Sequence, residues 1–334
     1  MNGEDLGLPK NVFIKIPKLT ENSSRAVNKS ARADLIKSLI ALNKKENQFY
    51  NSFNNANVPY FPIPKMYYCE EMDDEGTGGL VAENLADKTH AVEYIPGFDD
   101  DQVLRLMEAL AGFHSHTIKL NSDEFMVPFR EGFGGREIFS PRLQTIMFDE
   151  ACQLEVLRPE IFGNGRIRNL KWAFDYDLKN KTLAKAVKEI PRILVHSDLN
   201  ATNLLWNNND DEMLGAIIDY QHVHEGSVAE DLIRILSLGV SVENRRKHTT
   251  RYLKHYHNTL TSLFDGVAPI SFEQLNQQYR DVFPFISNFS LLGISLYCKM
   301  YMDGTLGTEE NKLECCDELI SRAVGIVEDI ENLS

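Results

Sequence analysis

ILVHSDLNATNLLWNNNDDEMLGAIID, residues 193–219, reads as a strand entry ILV, a polar loop HSDLNATN, a strand LLW, a turn NNNDDE and a strand LGAIID. The loop carries His196, Asp198 and Asn203 in the order HxDxxxxN, and Asp219 ends the strand across the hairpin. A hairpin closing at NNNDDE sets the start of LLW beside the end of LGAIID, which brings Asn203 close to Asp219. Two oxygen ligands then face one point. Mg²⁺ takes such hard donors and keeps water or substrate phosphate at its other positions. Asp198, a few residues earlier, is placed to orient or deprotonate an acceptor hydroxyl.

Upstream, NVFIKIP from Asn11 alternates, with Val12, Ile14 and Ile16 on one face, Phe13 and Lys15 on the other, and Pro17 as the stop. Ser23 or Ser24 is the expected cap of a helix running to about Phe53, with Leu35, Ile36, Leu39, Ile40 and Leu42 as its apolar stripe and Glu46 one turn later. After the proline-punctuated VPYFPIPK come strand-like pieces at Lys65–Cys69 and Gly79–Glu83. One of Asp99, Asp100 or Asp101 caps a helix with Val103, Leu106, Met107, Leu110 and Phe113 at three- and four-residue spacing. Helices are expected from there on, including Ala229–Leu238, Arg246–Leu263, Phe272–Val282, Phe285–Met300 and Glu309–Ile330. A lysine in mid-strand paired with a carboxylate on the next helix is what holding nucleotide α- and β-phosphates requires, and Glu46 is the best-placed partner for Lys15, with Glu70, Glu71 and Glu83 as competitors.

The runs RILVHSDLNATNLLW, LGAIIDYQHVHEG and AEDLIRIL, with VFIKIP and KENQFY, resemble the CHK-kinase-like (ecdysteroid-kinase-like) family, which is related to choline and ethanolamine kinases and to aminoglycoside phosphotransferases. The resemblance runs in order from Val12 to about Pro284. It implies an α+β, protein-kinase-like two-lobed fold: a small sheet lobe over residues 1–85, reduced at its start, and a larger, mainly helical lobe over 86–334. It implies ATP and Mg²⁺ as cofactors, with Asp198 as catalytic base and His196 supporting its loop. Asn203 and Asp219 would be the metal ligands, Lys15 and Glu46 the phosphate-binding pair, Asp231 a brace below the loop, and Glu83, Asn84 and Leu85 the surroundings of adenine. The activity implied is transfer of the γ-phosphoryl group to a hydroxyl of a small molecule; the alternative is a kinase-like binding protein without turnover.

A net charge of −14 works against phosphate-backbone binding and against anionic membranes. With 334 residues, 43% of them hydrophobic, the chain can bury a sizeable core. Five cysteines without CxxC spacing read as reduced thiols. MNGEDLGLPK lacks the pattern of a signal peptide, and Phe285–Cys298 is too short to span a bilayer, so a cytoplasmic protein is expected.

Each residue also has a plainer use. A strand lysine is ordinarily solvated, a helical glutamate ordinarily surface, and Asp198 and Asn203 could cap backbone groups. His222 and His224 could bind zinc with Asp219 or Glu225, but no third ligand has motif spacing. Arg245 and Arg246 are expected at a solvated helix start. Only fourteen residues precede Lys15, too few for the two strands and loop that cover phosphates in kinase folds, so weak ATP binding is expected. The acceptor pocket is expected from the helices after Asp231 and from Gly132–Arg168. Choline, a steroid and other apolar alcohols fit equally.

Overall fold

The computed structural model describes residues 9–17, 29–54, 56–73, 77–130 and 141–333. The expected cap at Ser23 or Ser24 and the first residues of the Gly132–Arg168 stretch lie outside them. Strands β1 (Val12–Lys15), β2 (Met66–Glu70) and β3 (Gly79–Glu83) form an antiparallel sheet in the order β1-β3-β2. Lys15 stands opposite Leu80 and Phe13 opposite Ala82. Paired residues share a face, and Leu80 and Ala82 are buried, so Lys15 and Phe13 point toward the core side. That side is covered by α1 (Lys29–Phe53), whose Glu46, Phe49, Tyr50 and Phe53 recur at i, i+3, i+4 and i+7. β1 itself is not core on either face: Phe13, which borders the cavity described below, is exposed, as are Val12, Ile14 and Ile16 on the other side.

The larger part holds the sheet β4 (Thr89–Ala91), β6 (Leu204–Asn207) and β7 (Asp210–Ile217), in the order β4-β6-β7, and the ladder of β5 (Leu194–Val195) with β8 (His224–Glu225). Around these pack α2 (Asp100–Lys119), α3 (Pro141–Ala151), α4 (Tyr176–Lys188), α5 (Ala229–Leu238), α6 (Val242–Ser262), α7 (Phe272–Met302) and α8 (Lys312–Glu331). α2 begins at Asp99 with a capping box to Gln102. Every residue of α5 from Ala229 to Ser237 is buried, so this helix runs through the interior with its charged residues Glu230, Asp231 and Arg234 enclosed among protein groups. Gly112 of α2 lets the segment after α1 lie against it, because a Cβ there would stand 1.7 Å from the carbonyl oxygen of Pro59. Arg322 of α8, 1% exposed, donates to the carbonyls of Tyr94 (3.0 Å), Pro96 (2.6 Å) and Leu238 (2.5 Å).

Three expectations are corrected. The β6–β7 turn is shorter than NNNDDE: Asn207 pairs with Asp210. Asn207 Oδ1 accepts the amide of Asn209 and Asp210 Oδ1 that of Glu212, so these side chains satisfy local backbone and the acidic residues enter the strand. The two helices expected around Pro284 are one, α7. An interior proline costs about 3 kcal/mol, and burial of Val282, Phe283, Phe285 and Ile286 at roughly 1.5–3 kcal/mol each outweighs it. α7 is therefore long and apolar enough to cross a membrane by length and composition, yet 67% of its apolar window is buried inside the fold, as in a core helix. Finally, Arg245 is buried and ion-paired with Asp329, and Arg246 pairs with Glu328 and Asp329, because α8 packs alongside. All five cysteines are free.

Candidate functional site

The loop after β5 is held from below. Asp231, near the start of α5, accepts the backbone N–H of His196 at 2.8 Å and of Ser197 at 2.7 Å. Burial pushes its carboxyl up to about 6, against the pull of these two donors. Ser197 sits in the left-handed region at φ 66°, which turns the chain between its two anchored neighbours. The His196 ring is buried between two backbone groups: Nδ1 accepts from the Asp198 N–H (3.3 Å) and Nε2 lies 2.9 Å from the Ile218 carbonyl, which fixes the proton on Nε2. Burial holds this imidazole below its ordinary pKa and hence neutral. Its place is that of a support tying the loop to β7's end.

Asp198 is gripped by two asparagines. Asn200 Nδ2 reaches Asp198 Oδ1 at 3.3 Å, and Asn203 Nδ2 donates to the Asp198 carbonyl (2.9 Å) and to Oδ2 (3.3 Å). Burial raises the Asp198 carboxyl above the usual carboxylate value, with Arg234 and His196 opposing. The N–H of Ile218 donates to the Asn203 carbonyl (3.0 Å), so the pairing of β6 with β7 delivers Asn203 beside Asp219. Asp219 is left-handed at φ 70°, ψ 63°. Its Oδ1 takes Lys15 Nζ at 2.6 Å and its Oδ2 takes Gln221 Nε2 at 3.2 Å. Lys15 Nζ also lies 2.8 Å from Glu46 Oε2. Burial disfavours the ammonium, but the two carboxylates outweigh it and raise the Lys15 pKa.

These groups border a cavity of about 480 Å³. Phe13, Leu80, Ala82 and Leu205 give it apolar walls, while Lys15, Glu46, Asn203 and Asp219 supply charge and oxygen donors. Glu83, Asn84 and Leu85 line it too, although Glu83 Oε1 accepts the Lys65 N–H and Asn84 Oδ1 the Ala86 N–H. Asp198 is not among the lining residues and meets the cavity through Asn203. Because the Asn203 amide spends its N–H₂ on Asp198, its oxygen remains for a cation. With the Asp219 carboxylate it forms the hard donor pair that suits Mg²⁺. Among the described residues no group of three or more His, Cys, Asp or Glu could hold a metal. His224 is engaged by the His222 carbonyl and Glu230.

Tyr220, Phe49 and Arg234 escape a reading of the sequence alone. Tyr220 follows Asp219 and stacks on Phe49 of α1 with centroids 3.6 Å apart, fixing Asp219 relative to the helix that carries Glu46. A signal exists for one of them: Phe49 follows Glu46 by three positions. Arg234 is buried, stacks on Phe289 at 3.8 Å, and faces Asp198, Glu230 and Asp231 electrostatically.

A family profile, DUF1679, described as "Uncharacterized oxidoreductase dhs-27", matches residues 8–334. "Uncharacterized kinase-like protein D1044.1" of Caenorhabditis elegans is 37% identical over 330 residues, which are 96% of this chain and 84% of that protein. "Uncharacterized oxidoreductase dhs-27" of the same organism is 25% identical over 266 residues, 75% of this chain but 31% of that protein. Among solved structures, a GDP complex of a mutant aminoglycoside 2′-phosphotransferase-IIIa is similar at TM-score 0.47 and 15% identity, over 88% of this chain and 82% of that one. The choline kinase LicA of Streptococcus pneumoniae is similar at TM-score 0.43 and 14% identity, over 95% and 86%. Likeness at that level does not bear on chemistry. The fold itself, a small sheet region beside a larger helical part, is α+β, and the match over nearly the full length places the chain in the DUF1679 family.

Proposed function

We propose that this protein is an ATP-dependent phosphotransferase of the CHK-kinase-like kind, moving the γ-phosphoryl group to a hydroxyl of a small molecule. The observation that carries the reading is the meeting of Lys15, Glu46 and Asp219 at one cavity from elements 31 and 204 positions apart in sequence. The apolar walls suit a nucleobase. Lys15 grips the α- and β-phosphates, and Glu46 keeps it aimed. Asn203 and Asp219 would hold Mg²⁺, which when bound neutralises charge on the phosphates. Asp198 takes the proton of the acceptor hydroxyl as its oxygen bonds to the γ-phosphorus and the bond to the β-phosphate oxygen breaks, releasing ADP. His196 and Asp231 keep Asp198 in place.

The oxidoreductase relative is matched over under a third of its length, so its name does not pass to this chain by that match. Melting curves with ATP, with and without Mg²⁺ and with EDTA, together with phosphate transfer to a panel of hydroxyl compounds, test the reading. A Mg²⁺-dependent rise with transfer supports it. A rise without transfer leaves a nucleotide-binding protein lacking turnover, and no rise sinks it.

A further inference from the structure

A second cavity, of about 530 Å³, shares no lining residue with the first. α4 gives it an apolar wall through Leu183 and Val187, and its other sides are polar: Gln144 of α3, Lys179 of α4, and Glu230 at the head of α5. Gln144 is 2% exposed, and both atoms of its amide are buried with no hydrogen-bond partner among the described residues. An unpaired buried amide costs roughly 1–3 kcal/mol. Its placement in a cavity wall is explained if something else supplies the bonds. The amide offers two donors and an acceptor, so a full answer needs a ligand group that accepts and a second that donates. Beside it, burial brings the Lys179 ammonium down to about 8, so an anion arriving here stabilises its charged form.

We infer that this cavity binds a small hydroxylated carboxylate with a short apolar chain: the carboxylate takes N–H from Gln144 and Lys179, the hydroxyl donates to Gln144 Oε1, and the chain lies on Leu183 and Val187. The site stands apart from the nucleotide cavity and does not depend on the phosphotransferase reading. In the lining, Arg130, Lys179 and Lys188 against Glu225 and Glu230 favour an anionic ligand over a cationic one.

The test is isothermal titration of the full chain, without nucleotide, using 2-hydroxyhexanoate, hexanoate and hexylammonium. The expected result is binding of 2-hydroxyhexanoate, about tenfold weaker binding of hexanoate, and no heat from hexylammonium. Gln144→Leu and Lys179→Met should each weaken 2-hydroxyhexanoate at least tenfold. Unliganded Gln144→Leu should melt no lower than wild type, since no bond is lost. The inference is overturned by absence of 2-hydroxyhexanoate binding, by equal binding of hexylammonium, or by unchanged affinity in Gln144→Leu. A lower melting point of that variant also overturns it, for it would mean the amide already has a structural partner. Failure of Gln144→Leu to fold counts in the same way, and unchanged affinity in Lys179→Met likewise overturns the inference.

Discussion

Lys15 Nζ stands 2.6 Å from Asp219 Oδ1, which fastens the edge strand of the small sheet to the residue just past β7. The same ammonium answers Glu46, whose side chain is only 3% exposed. Lys15→Met leaves that carboxylate buried without its partner. Since Lys15 is itself about a third exposed, the expected loss is about 2 kcal/mol, below the range for a fully buried pair. Glu46→Leu added to it should recover most of the loss. Urea unfolding of the two variants checks this, and additive losses would contradict it.

Asp198→Asn should leave the melting curve where it is and lower phosphoryl transfer about 10²–10⁴-fold, since it removes the group that accepts the proton. In the wild type, burial raises the Asp198 carboxyl, so the acid limb of kcat/KM should lie above the ordinary carboxylate range. Retained transfer in the variant would take Asp198 out of this role.

Asp219→Ala should abolish stabilisation by Mg²⁺-ATP. At a hundred times Kd that stabilisation is about 2.7 kcal/mol, or a rise of about 4 °C for a chain of this size. Asp219→Gly separates backbone from chemistry: glycine accepts φ 70° without strain, so it should fold at least as well as alanine and still lack the nucleotide response. A preserved Mg²⁺-ATP shift in either would place the metal elsewhere.

Stability should fall as pH drops below about 6.5. Burial lowers His114 to about 3 and His222 to about 4, so between those values and 6.5 the unfolded chain binds protons that the folded one does not. Each contributes a loss of about 1.4 kcal/mol per pH unit. Asp231, raised to about 6, acts oppositely: its contribution is full below the unfolded carboxylate value and fades as pH rises through 6. His116 and His196 are depressed as well, and these four histidines outnumber the raised carboxyls of Glu46, Asp198 and Asp231, which leaves a net acid loss. His114→Gln, which can still bond the Tyr256 hydroxyl, should flatten the slope measured by urea unfolding at pH 7.5, 6 and 5. An unchanged slope would contradict it.

Much of this arrangement is legible in local patterns. The alternation around Lys15, the i, i+3, i+4 spacing that includes Glu46, and the hairpin joining Asn203 to Asp219 are short-range signals. The chemistry of the residue types then narrows what they can do. What escapes is set by distant packing. No local rule shows that Tyr220 finds Phe49, that α7 runs through Pro284, or that Asp329 awaits Arg245. Exposure of Val12, Phe13 and Ile14 escapes for the same reason, since alternation shows that two faces differ and not whether either is covered.

Arg322 bonds the carbonyls of Tyr94 and Pro96, more than 220 positions earlier in the chain. During synthesis, the segment that connects the small sheet's surroundings to α2 must therefore wait, its carbonyls unmet by protein, until α8 has been made. At roughly 5–20 residues per second that interval is on the order of ten seconds or more. Throughout it the segment at residues 94–96 lacks its bonds to α8, although Lys15 and Asp219 can already join the sheet to the hairpin. A nascent chain stalled before residue 322 should accordingly be open to proteolysis at residues 94–96, even with α1, α2 and the hairpin already formed.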